Sequence, residues 1–421
     1  MSIRWARNKF RGEIQTSALF VGFWQAKRLV MQALWLVLVA RMLGADELGE
    51  FAGLVGLATT LGGFSGLGFG LVMFQDAVRD RSILGDRWRS TMLVTGLSGI
   101  ALSVAFVGAG AMLTASQPSL TALLAIALAE LIAFPVTAAG AFAFAAHDRM
   151  GWSAALPALM AFARLAASTI VWFSFDQPTM LHVALAHSAA SCGTALFSVL
   201  VVVALLKPTP GRFRFEKREF RMGFRFCSVW AGTSALSSLD KAMALRWGGG
   251  EIAGPYSIVY RVSALFAMPI EALTTSATPR LFRSSHAGNR EGRLVDRLAL
   301  WALAYSATAA AVLWCLAPLA PLVFGPEFED SVAPIRAMTL FIPLYGLRVL
   351  GGNILLSRGL AALQAKLQAA GILAMLASGI LLVPRFGLWG CVCAGITTEA
   401  LLCLMIWGAI KRGKGSSSTP P

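Results

Sequence analysis

Six basic residues, Lys27, Arg28, Arg164, Lys241, Arg261 and Arg348, stand inside runs that are otherwise apolar. So do four carboxylates, Glu130, Asp240, Glu271 and Glu399. In the middle of a membrane helix each such group costs about 2.5–3.5 kcal/mol on insertion scales. Groups that costly usually face a bundle interior or a watery cavity and mark a pathway. Helical spacing gathers several of them. Gln25, Arg28 and Gln32 fall at i, i+3 and i+7 on one stripe. Ser234, Ser237, Ser238 and Lys241 make a second stripe, and Ser257, Tyr260 and Arg261 a third. Arginine binds phosphate oxygens in a bidentate fork and stays charged when buried. A lumen lined by Lys27, Arg28, Arg164, Lys241, Arg261 and Arg348 therefore selects an anion, and a diphosphate fits. Glu130, Asp240 and Glu399 are candidates for coupling to an ion gradient. The bland alternative is internal ion pairing, for instance Arg164 with Glu130, or snorkelling of long side chains.

The elements that must carry these groups are membrane helices. Of the 421 residues, 57% are hydrophobic and 14% charged, against about 25% charged in soluble domains. A spanning helix needs about 20 apolar residues. Twelve such runs are expected, at 17–43, 48–75, 90–113, 120–146, 152–175, 180–206, 224–247, 252–278, 298–324, 331–357, 359–383 and 387–410. The alternating pattern of a β-barrel is absent. Pro135, Pro157, Pro269 and Pro343 fall mid-run and predict kinks, which membrane helices tolerate. The fold class is an all-α polytopic membrane protein.

The net charge of +15 is not spread evenly. Arg79, Arg81, Arg87 and Arg89 follow the second run, Arg149 the fourth, Lys207 to Arg225 the sixth, Arg280, Arg283, Arg290, Arg293 and Arg297 the eighth, Arg358 and Lys366 the tenth. Asp46, Glu47, Asp176, Glu251, Glu327, Glu329 and Asp330 occupy the opposite connections, where Arg385 is the exception. This positive-inside asymmetry predicts that both termini are cytoplasmic. The basic excess orients the chain and touches anionic lipid; no nucleic acid is needed to explain it.

One corner is written twice. VARMLGADELGEFAGLVGL opens the chain's first hairpin, and ALRWGGGEIAGPYSIVYRV returns halfway along. Setting Gly49 on Gly254 puts Arg41 on Arg246, Gly44 on Gly249, Asp46 on Glu251 and Phe51 on Tyr256. Six runs separate the corners, so the repeat is parallel, about an axis along the membrane normal. The expected domains are an N-terminal lobe 1–206, a cytoplasmic linker 207–223, a C-terminal lobe 224–411 and a tail 412–421.

Weaker signals complete the reading. GGFSGLGFG spaces Gly62, Gly66 and Gly70 for close helix contact, with a gating bend as the alternative. His182 and His187 begin the sixth run, where proton coupling is the less favoured role. The six cysteines lie in apolar segments without a CxxC pair and read as small hydrophobes. No P-loop, HExxH or nucleophile elbow occurs. No cofactor and no catalytic group is expected.

Several blocks resemble a known family. VARMLGADELGEFAGL, GPYSIVYRVSALFAMPIEAL with ATPR soon after, LVFGPEFEDSVAPIRAMTLFIPLYGLRVL and VPRFGLWGCVCAGITTEALL are similar to polysaccharide exporters, the lipid-linked oligosaccharide flippases of O-antigen and exopolysaccharide pathways. Their superfamily also holds the lipid II flippase and the multidrug and toxin extrusion transporters. The resemblance implies two six-helix lobes around a central cavity, alternating access, and an undecaprenyl-diphosphate-linked oligosaccharide as cargo. It implies membrane lipids as partners, with a polysaccharide polymerase and a chain-length regulator alongside. Cationic residues on the first and eighth spans of the lipid II flippase correspond by pattern to Arg28 and Arg261. Twelve spans, without that flippase's two extra helices, favour the oligosaccharide branch. The rival expectation is an ion-coupled drug or metabolite antiporter on the same scaffold, which prefers a lumen of the opposite sign. A membrane enzyme is disfavoured because every outer connection is short.

Overall fold

The computed structural model describes residues 2–114, 118–209, 217–284 and 289–415. Linker residues 210–216 and tail residues 416–421 lie outside the described residues. Among the described residues there is no strand. The helices are α1 (Ser2–Gly62), α2 (Phe69–Arg79), α3 (Leu84–Leu113), α4 (Leu120–Ala127), α5 (Phe134–Ala146), α6 (Met150–Ser174) and α7 (Met180–Leu206). After these come α8 (Lys217–Gly248), α9 (Gly250–Ser284), α10 (Asn289–Leu316), α11 (Ala320–Phe324), α12 (Val332–Met338), α13 (Phe341–Ser357) and α14 (Ala361–Gly415).

The twelve expected runs all fall on helical elements, and among the described residues seven helices, or eight with one bent pair, are long and apolar enough to cross a membrane as they stand. The apolar stretch Val21–Arg79 has 59 residues, which at about 1.5 Å per residue is nearly three bilayer cores long. It is divided at Gly44, whose φ is +67°, a conformation open to glycine at little cost. Ala361–Arg412 runs for 52 residues and is divided likewise at Gly387, with φ +54°. α12 and α13 meet at a bend of 49°, within the expected tenth run. Of the mid-run prolines, Pro157 and Pro269 sit inside continuing helix, in α6 and α9, whereas Pro135 and Pro343 stand in the first turns of α5 and α13, just after the irregular backbone that precedes those helices.

The second span holds a break the sequence only half announces. Between α1 and α2 the chain passes through Gly66, Leu67 and Gly68 with φ of +71°, +46° and +76°. Packing and bending coincide here, because Gly63 lies against the backbone of Ala231 and Gly68 against Gly223. The freed backbone is re-satisfied, as apolar surroundings demand: Ser98 Oγ accepts from Gly66 N at 2.8 Å, and Ser65 Oγ donates to Leu131 O at 2.6 Å. Leu131 belongs to a π-helical turn, Leu128–Ala133, that joins α4 to α5.

The chain divides into two compact units. The first comprises Met1–Leu43 and Leu57–Ala231. Its core gathers Met73, Leu84, Trp88, Phe144, Leu156 and Val202. Arg87 of α3 bridges Asp76 of α2, at 2.9 Å, and Glu219 of α8. In the turn before α3, Asp80 accepts from the hydroxyl and amide of Ser82, which hold its carboxyl below the usual carboxylate range. The second unit comprises Gly44–Gly56 and Gly232–Pro421. Leu281, Leu298, Leu350, Ile354, Ile406 and Ile410 pack its core. Large apolar side chains such as Val104, Phe173, Leu322 and Leu404 are more than 70% exposed, the surface a lipid solvent favours.

Within the second unit the two repeated corners lie on each other. A Cβ on Gly49 would overlap the carbonyl of Gly250, and a Cβ on Gly254 would overlap the carbonyl of Ala45. In the repeat register Gly49 is Gly254 and Ala45 is Gly250, so the contact is reciprocal, like an isologous two-fold interface. The turn glycines match as well: Gly249 has φ +76° where Gly44 has +67°.

Candidate functional site

In the first unit the ionisable groups converge on one carboxylate. Glu130 sits within the π-turn, a local widening that recurs at functional positions. Its Oε1 forms an ion pair with Arg164, 2.9 Å from Nη2, and lies 2.7 Å from His187 Nε2. Glu130 is 6% exposed and His187 1%, so the pair is dry. Spacing explains the rest. Ser191 lies one turn beyond His187 on α7, donates to the His187 carbonyl at 2.7 Å and accepts from Arg164 Nε at 2.9 Å. Ser168 lies one turn beyond Arg164 on α6 and accepts from Trp35 Nε1 of α1 at 3.0 Å. The Trp35 and His187 rings are 5.7 Å apart. The expected Arg164–Glu130 pair is therefore present, with His187 as an additional member.

The second unit holds two acid–base pairs joined by an aromatic ladder. On α8, Asp240 Oδ1 accepts from Lys241 Nζ at 2.8 Å. Its other oxygen accepts from the Tyr256 hydroxyl of α9 at 2.7 Å. Lys241 Nζ also donates to Ser237 O at 2.8 Å and stands 3.4 Å from the centre of the Tyr260 ring. Such a cation–π contact is worth most when dry, and Lys241 is 5% exposed. Tyr260 meets Phe341 at 5.5 Å, and Phe341 stacks on Tyr345 at 5.3 Å. There the second pair begins. Arg348 of α13 donates from Nε to Glu399 of α14 at 2.5 Å and lies 4.9 Å from the Tyr345 ring. Tyr345 donates to Glu271 at 3.3 Å. No cluster of metal-ligating type occurs among the described residues.

The model of the polysaccharide biosynthesis protein family matches residues 24–285, more than half of the chain. The chain belongs to this family. No curated protein sequence matches it. Among solved structures, an inward-facing multidrug resistance MATE family transporter of the MOP superfamily is 14% identical, with a TM-score of 0.72 over 94% of this chain and 96% of its own. The lipid II flippase MurJ in an inward closed conformation is 11% identical, with a TM-score of 0.69 over 93% of this chain and 87% of its own. A MOP superfamily transporter from Pyrococcus furiosus, described as having a binding pocket of reverse polarity, is 14% identical with a TM-score of 0.58 over 96% of each chain. At these identities the likeness establishes the fold: this member of the polysaccharide biosynthesis family has the architecture of that transporter superfamily.

Against that fold the expected site residues take distinct places. Arg164, Lys241 and Arg348 each pair with one of the three carboxylates singled out for coupling, Glu130, Asp240 and Glu399. Arg28 and Arg261 are half-buried on their helices. Lys27 stands on a stripe with the exposed Phe23, Val30 and Leu34, its Nζ 4.3 Å from the Phe23 ring and 5.3 Å from that of Trp24. The polar stripe Gln25, Arg28 and Gln32 is on the other side of that helix. The sequence reading missed the tyrosines. Their signal was rarity: the chain has four, and Tyr256, Tyr260 and Tyr345 all belong to the ladder.

Proposed function

We propose that the protein is a flippase that carries an undecaprenyl-diphosphate-linked oligosaccharide, an O-antigen or exopolysaccharide repeat unit, across the bacterial inner membrane by alternating access. The observation that carries this reading is a set of dry ionisable groups, held inside apolar helices of both units, in a chain of a polysaccharide biosynthesis family. A sugar head group cannot cross hydrocarbon unaided, since its hydroxyls would lose their hydrogen bonds to water. A polar pathway replaces those bonds while the lipid tail stays in the bilayer. Arg28 and Arg261 take the diphosphate, without Lys27, whose stripe lies on the opposite face of the helix from that of Arg28. Arg164, Lys241 and Arg348 hold their carboxylates and exchange them for phosphate as the cargo passes. Glu130, Asp240 and Glu399, released in turn, couple the cycle to an ion gradient. The half-repeats 1–206 and 224–411 rock about the linker 207–223, with both termini cytoplasmic and no covalent chemistry. A polymerase and a chain-length regulator receive the product.

The test is a deletion strain. Its lipids are extracted and the polyprenyl-diphosphate oligosaccharides weighed, with surface polymer assayed in parallel. Complete repeat units accumulate and polymer is lost; wild type restores export, and Arg261→Ala, though folded and present in the membrane, does not. Normal lipids with normal polymer, and altered sensitivity to toxins, would instead favour the antiporter. That rival gains from one observation: Arg164, Lys241 and Arg348 are each paired to a carboxylate, which takes three of the six cations out of the expected positive excess.

A further inference from the structure

One intramembrane cation stands apart from the ionic clusters. Arg164, Lys241 and Arg348 each have a carboxylate. Lys27 has none among the described residues, and no oxygen there accepts from its N–H donors. Its Nζ meets two rings instead, 4.3 Å from the centre of Phe23 and 5.3 Å from that of Trp24. Those rings stand edge to face, 6.0 Å apart, and form a corner around the ammonium. Cation–π contact offsets part of the cost of a dry charge and supplies no counter-charge. Depth and direction are set by α1. From the turn at Gly44 back to Lys27 the helix runs about 25 Å, in a hydrocarbon core of about 30 Å. Side chains on a helix lean toward its N-terminus, so the ammonium comes down beside Phe23, one turn nearer the membrane face. The charge asymmetry of the connections makes that face the cytoplasmic one. There the leaflet carries anionic lipid.

The surface around Lys27 has the order of a lipid molecule. Lys27 and Phe23 are exposed, and a Cβ on Gly22 would meet nothing within 4 Å, so the ammonium can be reached from outside. Toward the bilayer centre the same stripe continues through Val30 and Leu34, 53% and 50% exposed. Charge stands outermost, rings lie beside it, and apolar surface runs inward. We propose that this stripe of α1 binds an anionic glycerophospholipid of the cytoplasmic leaflet, its phosphate on Lys27, its glycerol region against Phe23 and Trp24, and an acyl chain along Val30 and Leu34. The phosphate supplies the anion that the protein does not. A free phosphate would leave the apolar part of the stripe bare. Snorkelling alone would extend the ammonium into headgroup water, away from the rings it touches. The site is separate from the cargo path, because the Gln25, Arg28 and Gln32 stripe is on the other side of the helix. It holds whatever the cargo is.

The test uses the full chain in phosphatidylcholine proteoliposomes carrying a trace of phosphatidylglycerol with a photoactivatable group near its phosphate. Cross-linked peptides are mapped by mass spectrometry, with the lipid-exposed Phe173 and Leu404 as internal references. In wild type, phosphatidylglycerol labels α1 around Phe23 and Lys27 about fivefold more than a matching phosphatidylcholine probe does, the preference expected of one lysine meeting net negative lipid at a membrane surface. Lys27→Met keeps the length of the stem and loses the preference; Lys27→Arg retains it. Both variants fold, since the replaced side chain is exposed, and unchanged labelling at the reference positions checks this. Equal labelling of α1 by the two probes, or an undiminished preference in Lys27→Met, overturns the site and leaves Lys27 a snorkelling side chain. Labelling that undecaprenyl diphosphate displaces at a lower concentration than phosphatidylglycerol does overturns it too, and gives the stripe to a polyprenyl lipid.

Discussion

The two ionic clusters solve the same problem in different ways. In the first unit a single carboxylate, Glu130, serves an arginine and a histidine at 2.9 and 2.7 Å. In the second unit each base has its own acid, and tyrosines connect the pairs. The first cluster is tied to irregular backbone, the π-turn and, through Leu131, the broken second span. The second stands on regular helix in α8, α9 and α13. Buried charge is tolerable in both only because partners are in place. The difference lies in what happens when a partner is removed. Arginine cannot shed its proton, whereas an unpaired buried lysine can.

That asymmetry sets the largest expected effect. Glu130→Gln keeps the shape of the side chain and removes the carboxylate that Arg164 and His187 share. Stranding one partner of a buried pair costs about 3–5 kcal/mol, so thermal unfolding in detergent should fall steeply or folded protein be lost. The double variant Glu130→Gln/Arg164→Gln removes both charges and should recover most of the loss. A single variant as stable as wild type would mean that the cluster is wetter than its burial implies.

Asp240→Asn probes the same question in the second unit and should cost less, about 1–3 kcal/mol. Lys241 retains the Ser237 carbonyl and the face of Tyr260, and it can become neutral. If Asp240→Asn unfolds the protein more readily than Glu130→Gln, the ordering from arginine and lysine chemistry is wrong for this molecule.

The fold was largely legible in the sequence because membrane helices leave a strong one-dimensional trace. Twelve apolar runs and the prolines within them correspond to helices in place, and the repeated corner appears as matched glycine turns. The break of the second span at Gly66–Gly68 was legible only as the less favoured alternative to close packing. A glycine at i, i+4 and i+8 serves close packing and backbone reversal equally well; here Gly66 takes part in the reversal, and the close backbone contacts with Ala231 and Gly223 fall on its neighbours Gly63 and Gly68. At the clusters, the ionisable residues stood out singly by their insertion cost. Their pairing did not, apart from Arg164 with Glu130. Asp240 and Lys241 are neighbours in sequence, yet neighbours on a helix point about 100° apart. Arg348 and Glu399 lie on helices whose rotation no periodicity fixes. His187 seemed to mark only the start of a span; its place beside Glu130 depends on α7 packing against the π-turn.

The smallest expected effect separates the two ends of the tyrosine ladder. Tyr256 is 1% exposed and donates to Asp240 at 2.7 Å, a short bond to a buried charge. Tyr345 donates to Glu271 at 3.3 Å at an exposed position. Both rings keep their packing as phenylalanine, so each substitution reads the hydroxyl alone. Tyr256→Phe leaves one oxygen of a dry carboxylate unsatisfied and should cost about 1.5–3 kcal/mol, the range for hydrogen bonds to charged groups. Tyr345→Phe exchanges a long bond for one to solvent and should cost less than about 0.5 kcal/mol. Thermal unfolding of the two single variants decides it. Equal losses would place Glu271 in a far drier setting than its exposure indicates, and would make the ladder one continuous buried network instead of a dry end joined to a wet one.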